Sequence, residues 1–281
     1  MPEDDIRERS RRTLAAAKAR YEADPSCAHA VWYGRVLGFR YRFDEAIEVF
    51  SEALERFPDS FELLRQRGHR YLSTRRFAEG LADLQRAADL IEGMPRWIKP
   101  DGEDNELPVP STSIQFNTYY HLGLAHYLLR QWDSAAKAYR KCREWVTDDD
   151  YDGITACADW LYMTLRRAGD ADGAAEVLEG VPEGIPDEKF VEGPSYYRRL
   201  KMYQGLLTPE SLLAPEVGTQ QIHNLDTIYA TQGYGVGNWY LYNGDLKRAR
   251  EIYGRILESR STSAFGYIAA ELDLAEMNQA N

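Results

Sequence analysis

Between residues 43 and 58 the chain reads FDEAIEVFSEALERFP, with apolar side chains at 46, 47, 49, 50, 53, 54 and 57. Spacings of three and four place them on one face of a helix. Asp44 is positioned to cap its start, and Pro58 cannot continue it, so the pattern predicts a helix bounded at both ends. The preceding segment YGRVLGFRYR predicts a partner helix. The same features return 34 residues later: Phe43 becomes Phe77, Phe50 becomes Leu84, Ala53 becomes Ala87 and Gly34 becomes Gly68. A fixed offset of this length predicts stacked helix–turn–helix units, each too small to bury its own apolar face.

A third copy, YYHLGLAHYLLRQWDSAAKAYRKC, places Leu122, Gly123, Ala135, Tyr139 and Cys142 at matching points. A further copy, GYGVGNWYLYNGDLKRAREIYGRI, does so with Gly237, Tyr240, Gly244-Asp245, Ala249 and Tyr253. These segments resemble the tetratricopeptide repeat, a 34-residue unit with a large residue, Leu-Gly and Tyr in its first helix, then small residues, an aromatic and Pro in its second. The small residues let neighbouring helices approach closely, and large ones fill the holes opposite. The resemblance implies an all-α fold, a right-handed α-solenoid of helix–turn–helix repeats with capping helices.

On that frame residues 1–26 form an extra N-terminal helix and 27–94 form repeats 1 and 2. Residues 95–115 are a Pro-rich insertion, and 116–182 hold repeats 3 and 4. The fourth runs from about Thr155 to Pro182, with a short second helix because Val181-Pro182 departs from the pattern. Residues 183–229 hold a degenerate helix pair in which Thr208 caps a helix begun by Pro209. Residues 230–263 are repeat 5, and 264–281 are the closing helix a solenoid needs over its last apolar face. In the insertion, four prolines and Asp101-Gly102 argue against a helix, and Trp97 and Ile98 suggest that part of it docks.

Charge narrows the partners. The net charge is -11 and the pI about 5.1, which argues against nucleic acid and anionic membrane surfaces. The three cysteines Cys27, Cys142 and Cys157 lack metal-site spacing and read as small apolar groups in a reducing, cytoplasmic setting. The first residues begin with acids and hold no apolar run, which predicts no secretory signal.

One stretch suggests a metal. In TDDDYDGITACAD, Asp148, Asp150 and Asp152 alternate, Gly153 follows, and Asp159 stands at the twelfth position of a calcium loop. A solvated turn is the favoured reading. Asp159 is shorter than the bidentate Glu of such loops, Thr155 replaces an aliphatic residue, and acids at a helix start answer the backbone dipole. Catalytic motifs are absent: no HExxH, GxSxG, GxxxxGK[ST] or GxGxxG occurs. Gly233, Gly235 and Gly237 in GYGVG have no preceding strand and read as close helix packing. No catalytic residue and no cofactor is predicted.

In the tetratricopeptide family the first helix of each pair lines a concave face that binds peptides. Carried over position by position, that groove comprises Trp32, Arg35, Arg65, His69, Asn117, Tyr120, His121, Leu124, Tyr127 and Trp160. Residues 35–76 also hold Arg35, Arg40, Arg42, Arg56, Arg65, Arg67, Arg70, Arg75 and Arg76, whereas Asp44, Glu45, Glu48, Glu52 and Glu55 lie on the following helix. Segregated charge predicts a locally basic groove for a protein or peptide with an acidic segment. The expected function is a non-enzymatic adaptor or scaffold. The alternative is a small-molecule-sensing helical domain with residues 94–115 as lid.

Overall fold

In the computed structural model of the protein, the structure describes residues 3–98, 112–213 and 225–279. The core of the insertion (99–111), and with it the middle of the expected lid, and the connector 214–224 with His223 lie outside them. Among the described residues the chain is all-α. Its helices are α1 (Glu3–Ala23), α2 (Cys27–Gly38), α3 (Phe43–Arg56), α4 (Phe61–Ser73), α5 (Phe77–Ile91), α6 (Ile114–Leu128), α7 (Trp132–Arg143), α8 (Tyr151–Ala168), α9 (Ala171–Glu179), α10 (Ser195–Tyr203), α11 (Pro209–Leu213), α12 (Leu225–Tyr242), α13 (Leu246–Leu257) and α14 (Phe265–Gln279), with one 3-10 turn, Asp187–Lys189. The chain divides into two compact units, residues 1–125 and 126–281.

In unit 1 the helix pairs α2–α3 and α4–α5 repeat the 34-residue offset as physical contacts. A Cβ on Gly34 would stand 2.2 Å from the Phe50 ring, and one on Gly68 would stand 2.8 Å from Leu84 Cγ. Each glycine thus lets the large residue of the next helix press against its backbone, and Ala53 and Ala87 are buried alongside. Ser26 and Ser60 cap α2 and α4, accepting hydrogen bonds from the His29 and Leu63 amides. Asp44 is not a cap, contrary to expectation: α3 begins at Phe43, and Asp44 and Glu45 occupy its first turn. There they face the positive end of the helix dipole instead.

The turn inside each pair is the same device throughout. Tyr41, Arg75 and Arg130 have φ of 59°, 65° and 61°, and Gly169 and Gly244 stand at the matching points with φ of 83° and 86°. After each comes an amide bonded to the carbonyl five residues back: Arg42 to Leu37, Arg76 to Tyr71, Gln131 to His126, Asp170 to Leu165 and Asp245 to Tyr240. This left-handed cap satisfies carbonyls at the end of the first helix and turns the chain into the second.

In unit 2, α8–α9 and α12–α13 are helix pairs, with α10 packed on α8 and α12, and α14 packed on α12 and α13. Helix α9 ends at Glu179, short of Pro182 as the sequence predicts. Thr208 accepts from the Ser211 amide at 3.3 Å and caps α11. The core of this unit is aromatic: Tyr127, Tyr139, Trp160, Tyr234 and Tyr253 are among its largest fully buried side chains.

Candidate functional site

Three helices of unit 1 bring the predicted basic residues together. Arg35 lies on α2, Arg65, His69 and Arg70 on α4, and Asn117, Tyr120 and His121 on α6. The His69 and His121 rings stand 4.2 Å apart between centroids, with 36° between their planes. His121 donates from Nδ1 to the Asn117 carbonyl at 2.6 Å, since a carbonyl can only accept. Arg70 Nη2 lies 2.6 Å from Nδ1 of His69 and 2.8 Å from its Nε2. A guanidinium only donates, so the imidazole nitrogen it meets is an uncharged acceptor.

The electrostatics of this cluster are one-sided. Burial holds the His69 imidazolium well below its usual range, and Arg70, His121 and Arg65 push the same way. Burial and then Arg65 lower His121 to about 3, with the Asn117 carbonyl opposing. Arg70 itself is lowered to about 10 by burial and by Arg35. No carboxylate among the described residues stands within ion-pair distance of Arg70. Its guanidinium rests instead over the Phe43 ring at 5.2 Å. Arg35 sits over the rings of Trp32, at 5.8 Å, and Phe39, at 5.7 Å.

The remaining arginines correct the expectation of segregated charge. Arg42 pairs with Glu45, Arg56 with Glu52, Arg67 with Asp83 and Arg76 with Glu79. Arg40 bonds the Val36 and Ser10 carbonyls, and Arg75 the Ser73 carbonyl. The four ion pairs form because i,i+3 and i,i+4 neighbours, and in one case the facing helix, bring acids within reach.

Of the predicted groove residues, Trp32, Arg35, Arg65, His69 and Asn117 are half-buried, whereas Tyr120, His121 and Leu124 are buried. Tyr127 and Trp160, in unit 2, are 0% and 1% exposed with their rings 5.1 Å apart. They are core side chains in this structure and offer no surface. Tyr127 shares a hydrogen bond with Tyr234, hydroxyl to hydroxyl at 2.7 Å, and accepts from Asn238 at 3.2 Å. Tyr234 donates to Asp273 at 3.0 Å, and Arg130 and Arg167 close on the same carboxylate at 2.7 and 3.0 Å. Sequence reasoning missed this network. Its only sequence signal was the aspartate in ELDLAEM, a charge on the apolar side of a closing helix.

The insertion is anchored where the structure describes it. Gln115, fully buried, accepts from the Trp97 amide at 3.1 Å and donates to the Pro95 carbonyl at 2.7 Å. The Ile114 amide bonds the Trp97 carbonyl at 2.9 Å, and the Trp97 ring meets Phe61 edge-on at 5.7 Å. Trp97 therefore docks on the start of α4.

The aspartates of the acidic turn go separate ways. Asp148 is exposed, 4.0 Å from Arg143. Asp150 caps α8, accepting from the Gly153 amide at 2.9 Å. Asp152 accepts from the amides of Val191, at 2.7 Å, and Glu192, at 3.1 Å. Asp159 is fully buried inside unit 2 and paired with Arg199 at 2.7 Å. Burial pushes its carboxyl up to about 7 even against that guanidinium. The four do not converge on a common point. No cluster of three His, Cys, Asp or Glu among the described residues is arranged to hold a metal ion.

The glycines of GYGVG are close-packing positions. Cβ atoms would meet Ile256 at 3.3 Å from Gly233, Arg199 Nε at 2.2 Å from Gly235, and the Tyr253 ring at 2.5 Å from Gly237. Arg199 thus lies directly on the α12 backbone, where it donates to the Thr231 carbonyl at 3.0 Å.

Residues 118–144 match the tetratricopeptide repeat family. No curated protein matches the sequence. Among solved structures, a tetratricopeptide repeat protein from Parabacteroides merdae is similar over 92% of this chain and 90% of its own, with 14% identity and a TM-score of 0.51. YrrB, described as a TPR protein with an unusual peptide-binding site, is similar over 91% of this chain and 98% of its own, with 13% identity and a TM-score of 0.45. MamA is similar over 74% of this chain and 87% of its own, with 17% identity and a TM-score of 0.44. With its repeated helix pairs, their shared turns and the matched segment, the chain has the tetratricopeptide-repeat fold and carries such a repeat at residues 118–144.

Proposed function

We propose that the protein is a non-enzymatic, protein-binding scaffold, and that the cationic cluster of unit 1 receives an acidic segment or a free carboxylate of its partner. The helix-pair fold supports the interaction role in general terms. The observation that carries the finer reading is that Arg65 and Arg70 face the uncharged His69–His121 pair, with Arg35 acting on Arg70. An incoming carboxylate meets these guanidinium groups through charge-assisted hydrogen bonds. Trp32, already under Arg35, supplies apolar contact beside the charge. The residues act at the surface, so the reading asks nothing of buried Tyr127 or Trp160. No described helix is long and apolar enough to cross a membrane.

The test is a fluorescence-anisotropy titration of the full chain with three labelled peptides of equal length, one rich in Asp and Glu, one in Lys, one in Ser and Gly. The reading expects saturable binding of the acidic peptide alone, weakened by salt. Equal affinity for all three, or preference for the basic one, overturns it.

A further inference from the structure

Two of the three cysteines meet in the core of unit 2. Cys142 lies in the last turn of α7 and Cys157 in the second turn of α8. Their sulfurs stand 3.2 Å apart, with Cys157 Sγ directed at Cys142 Sγ. They are 0% and 1% exposed. A disulfide needs a sulfur–sulfur distance of about 2.05 Å, so the two atoms must close by roughly 1 Å, which is within reach of small side-chain rotations. The third cysteine, Cys27, belongs to unit 1 and lies 3.1 Å from the Ser60 hydroxyl.

We propose that Cys142 and Cys157 form an intrachain disulfide that cross-links α7 to α8. The co-reactant is a small-molecule disulfide such as oxidised glutathione. One cysteine, as thiolate, attacks that disulfide and forms a mixed disulfide, and a glutathione thiolate leaves with the electron pair. The second cysteine thiolate then attacks the protein sulfur of the mixed disulfide and expels a second glutathione thiolate. In sum, two thiols become one disulfide, and their two protons and two electrons end on two molecules of glutathione.

The surroundings say when this happens. Burial, together with the neighbouring Cys157, holds Cys142 as a thiol well above the usual thiol range. In the closed unit neither sulfur meets a solvent-borne oxidant. The bond therefore forms while the chain folds, or when the α7–α8 hairpin opens locally. Once formed it is shielded from reductants by the same packing. The hairpin it closes contains the turn capped by Asp150 and the start of α8, so the cross-link restricts the segment that holds Asp152 to the Val191 and Glu192 amides.

The experiment is to refold the reduced, denatured full-length chain in a buffer of oxidised and reduced glutathione. Unreacted thiols are then alkylated under denaturing conditions and tryptic peptides are mapped by mass spectrometry without reduction. The expected result is a peptide pair joined through Cys142 and Cys157, lost on dithiothreitol treatment and absent from Cys142→Ser. Cys27 alone is alkylated. The same cross-link persists in Cys27→Ser, and the oxidised wild type melts at a higher temperature than the reduced one. Refolding in the redox buffer removes the accessibility barrier, so a negative result is decisive. Alkylation of all three cysteines, glutathione on both Cys142 and Cys157, or a cross-link through Cys27 overturns the proposal.

Discussion

His69 of α4 and His121 of α6 lie ring against ring, 4.2 Å apart, with Arg70 donating to the first and the Asn117 carbonyl accepting from the second. Both rings must be uncharged for this arrangement to hold, because two imidazolium ions at this distance, beside Arg65 and Arg70, repel.

The first prediction follows from that pair. His121 is lowered from its usual value of 6.5 to about 3 in the folded chain. A group with a depressed folded value binds its proton in the unfolded state first, so stability is full above about pH 6.5 and falls as pH drops toward 3. Between pH 7 and pH 5, His121 alone accounts for a loss of about 2 kcal/mol. Urea denaturation of the wild type at the two pH values should show this fall, and His121→Gln should flatten it. Equal stability of the wild type at pH 7 and pH 5 contradicts the buried, neutral pair.

Two glycines of adjacent helices should respond in opposite senses to alanine. On α12, a Cβ at Gly235 meets Arg199 Nε at 2.2 Å and the Tyr203 hydroxyl at 2.8 Å, so Gly235→Ala should cost about 1–3 kcal/mol by overpacking. On α13, a Cβ at Gly254 meets nothing within 4 Å, so Gly254→Ala should stabilise by roughly 0.5–1 kcal/mol through helix propensity. Thermal melts of the two variants decide the matter, and a neutral Gly235→Ala would show that α10 and α12 are not in close contact.

Asp273 holds Arg130, Arg167 and Tyr234 at once and is 1% exposed. Asp273→Ala leaves the two guanidinium groups with Glu276 as their one carboxylate partner among the described residues, at 2.6 and 3.9 Å. Removing one member of a buried ionic group costs about 3–5 kcal/mol. The expected outcome in chemical denaturation is a large loss, and Asp273→Asn should recover only part of it, since the amide restores shape without charge. A loss below about 1 kcal/mol for Asp273→Ala would mean that water, not this carboxylate, satisfies the arginines.

At the acidic turn, Asp150→Ala should cost about 1 kcal/mol, the value of a lost helix cap. The loss should be the same with calcium or with a chelator present, because the Asp150 carboxylate accepts from the Gly153 amide. Calorimetric titration showing micromolar calcium affinity, lost in Asp150→Ala, contradicts this.

The helices, their order and the positions of the pair turns were legible in the sequence, because each repeat states its own packing in local terms. Gly34 with Phe50 and Gly68 with Leu84 are contacts inside a helix pair, and the offset alone exposed them. The short α9 and the cap at Thr208 were legible for the same reason, since Pro182 and Pro209 act on their own neighbours. What escaped were relations between distant segments. In α14 only its place on the apolar side sets Asp273 apart from a solvated acid until Arg130 and Arg167 are brought to it. Arg199 reads as a surface charge in SYYRRLKMY, yet it is buried against Asp159. Family positions on α2, α4 and α6 did bring Arg35, Arg65, His69, Asn117 and His121 to one place, but aromatic residues at the equivalent points, Tyr127 and Trp160, went to the core. An aromatic on a first helix suits either role, and only the neighbouring helix decides which. The unequal spread of charge was overstated for a related reason. Arginines one turn from an acid pair with it, as Arg42 does with Glu45 and Arg76 with Glu79.

The most direct test of the central claim is the affinity of the acidic peptide for wild type, Arg35→Glu and Arg65→Glu, measured at two salt concentrations. If the cluster receives an acidic segment, each reversal weakens binding by about 2 kcal/mol or more, roughly 30-fold, and reduces its salt dependence. Far-ultraviolet spectra matching wild type would show that the variants are folded. Unchanged affinity and unchanged salt dependence in both variants would contradict the claim and leave these arginines as solubilising charge.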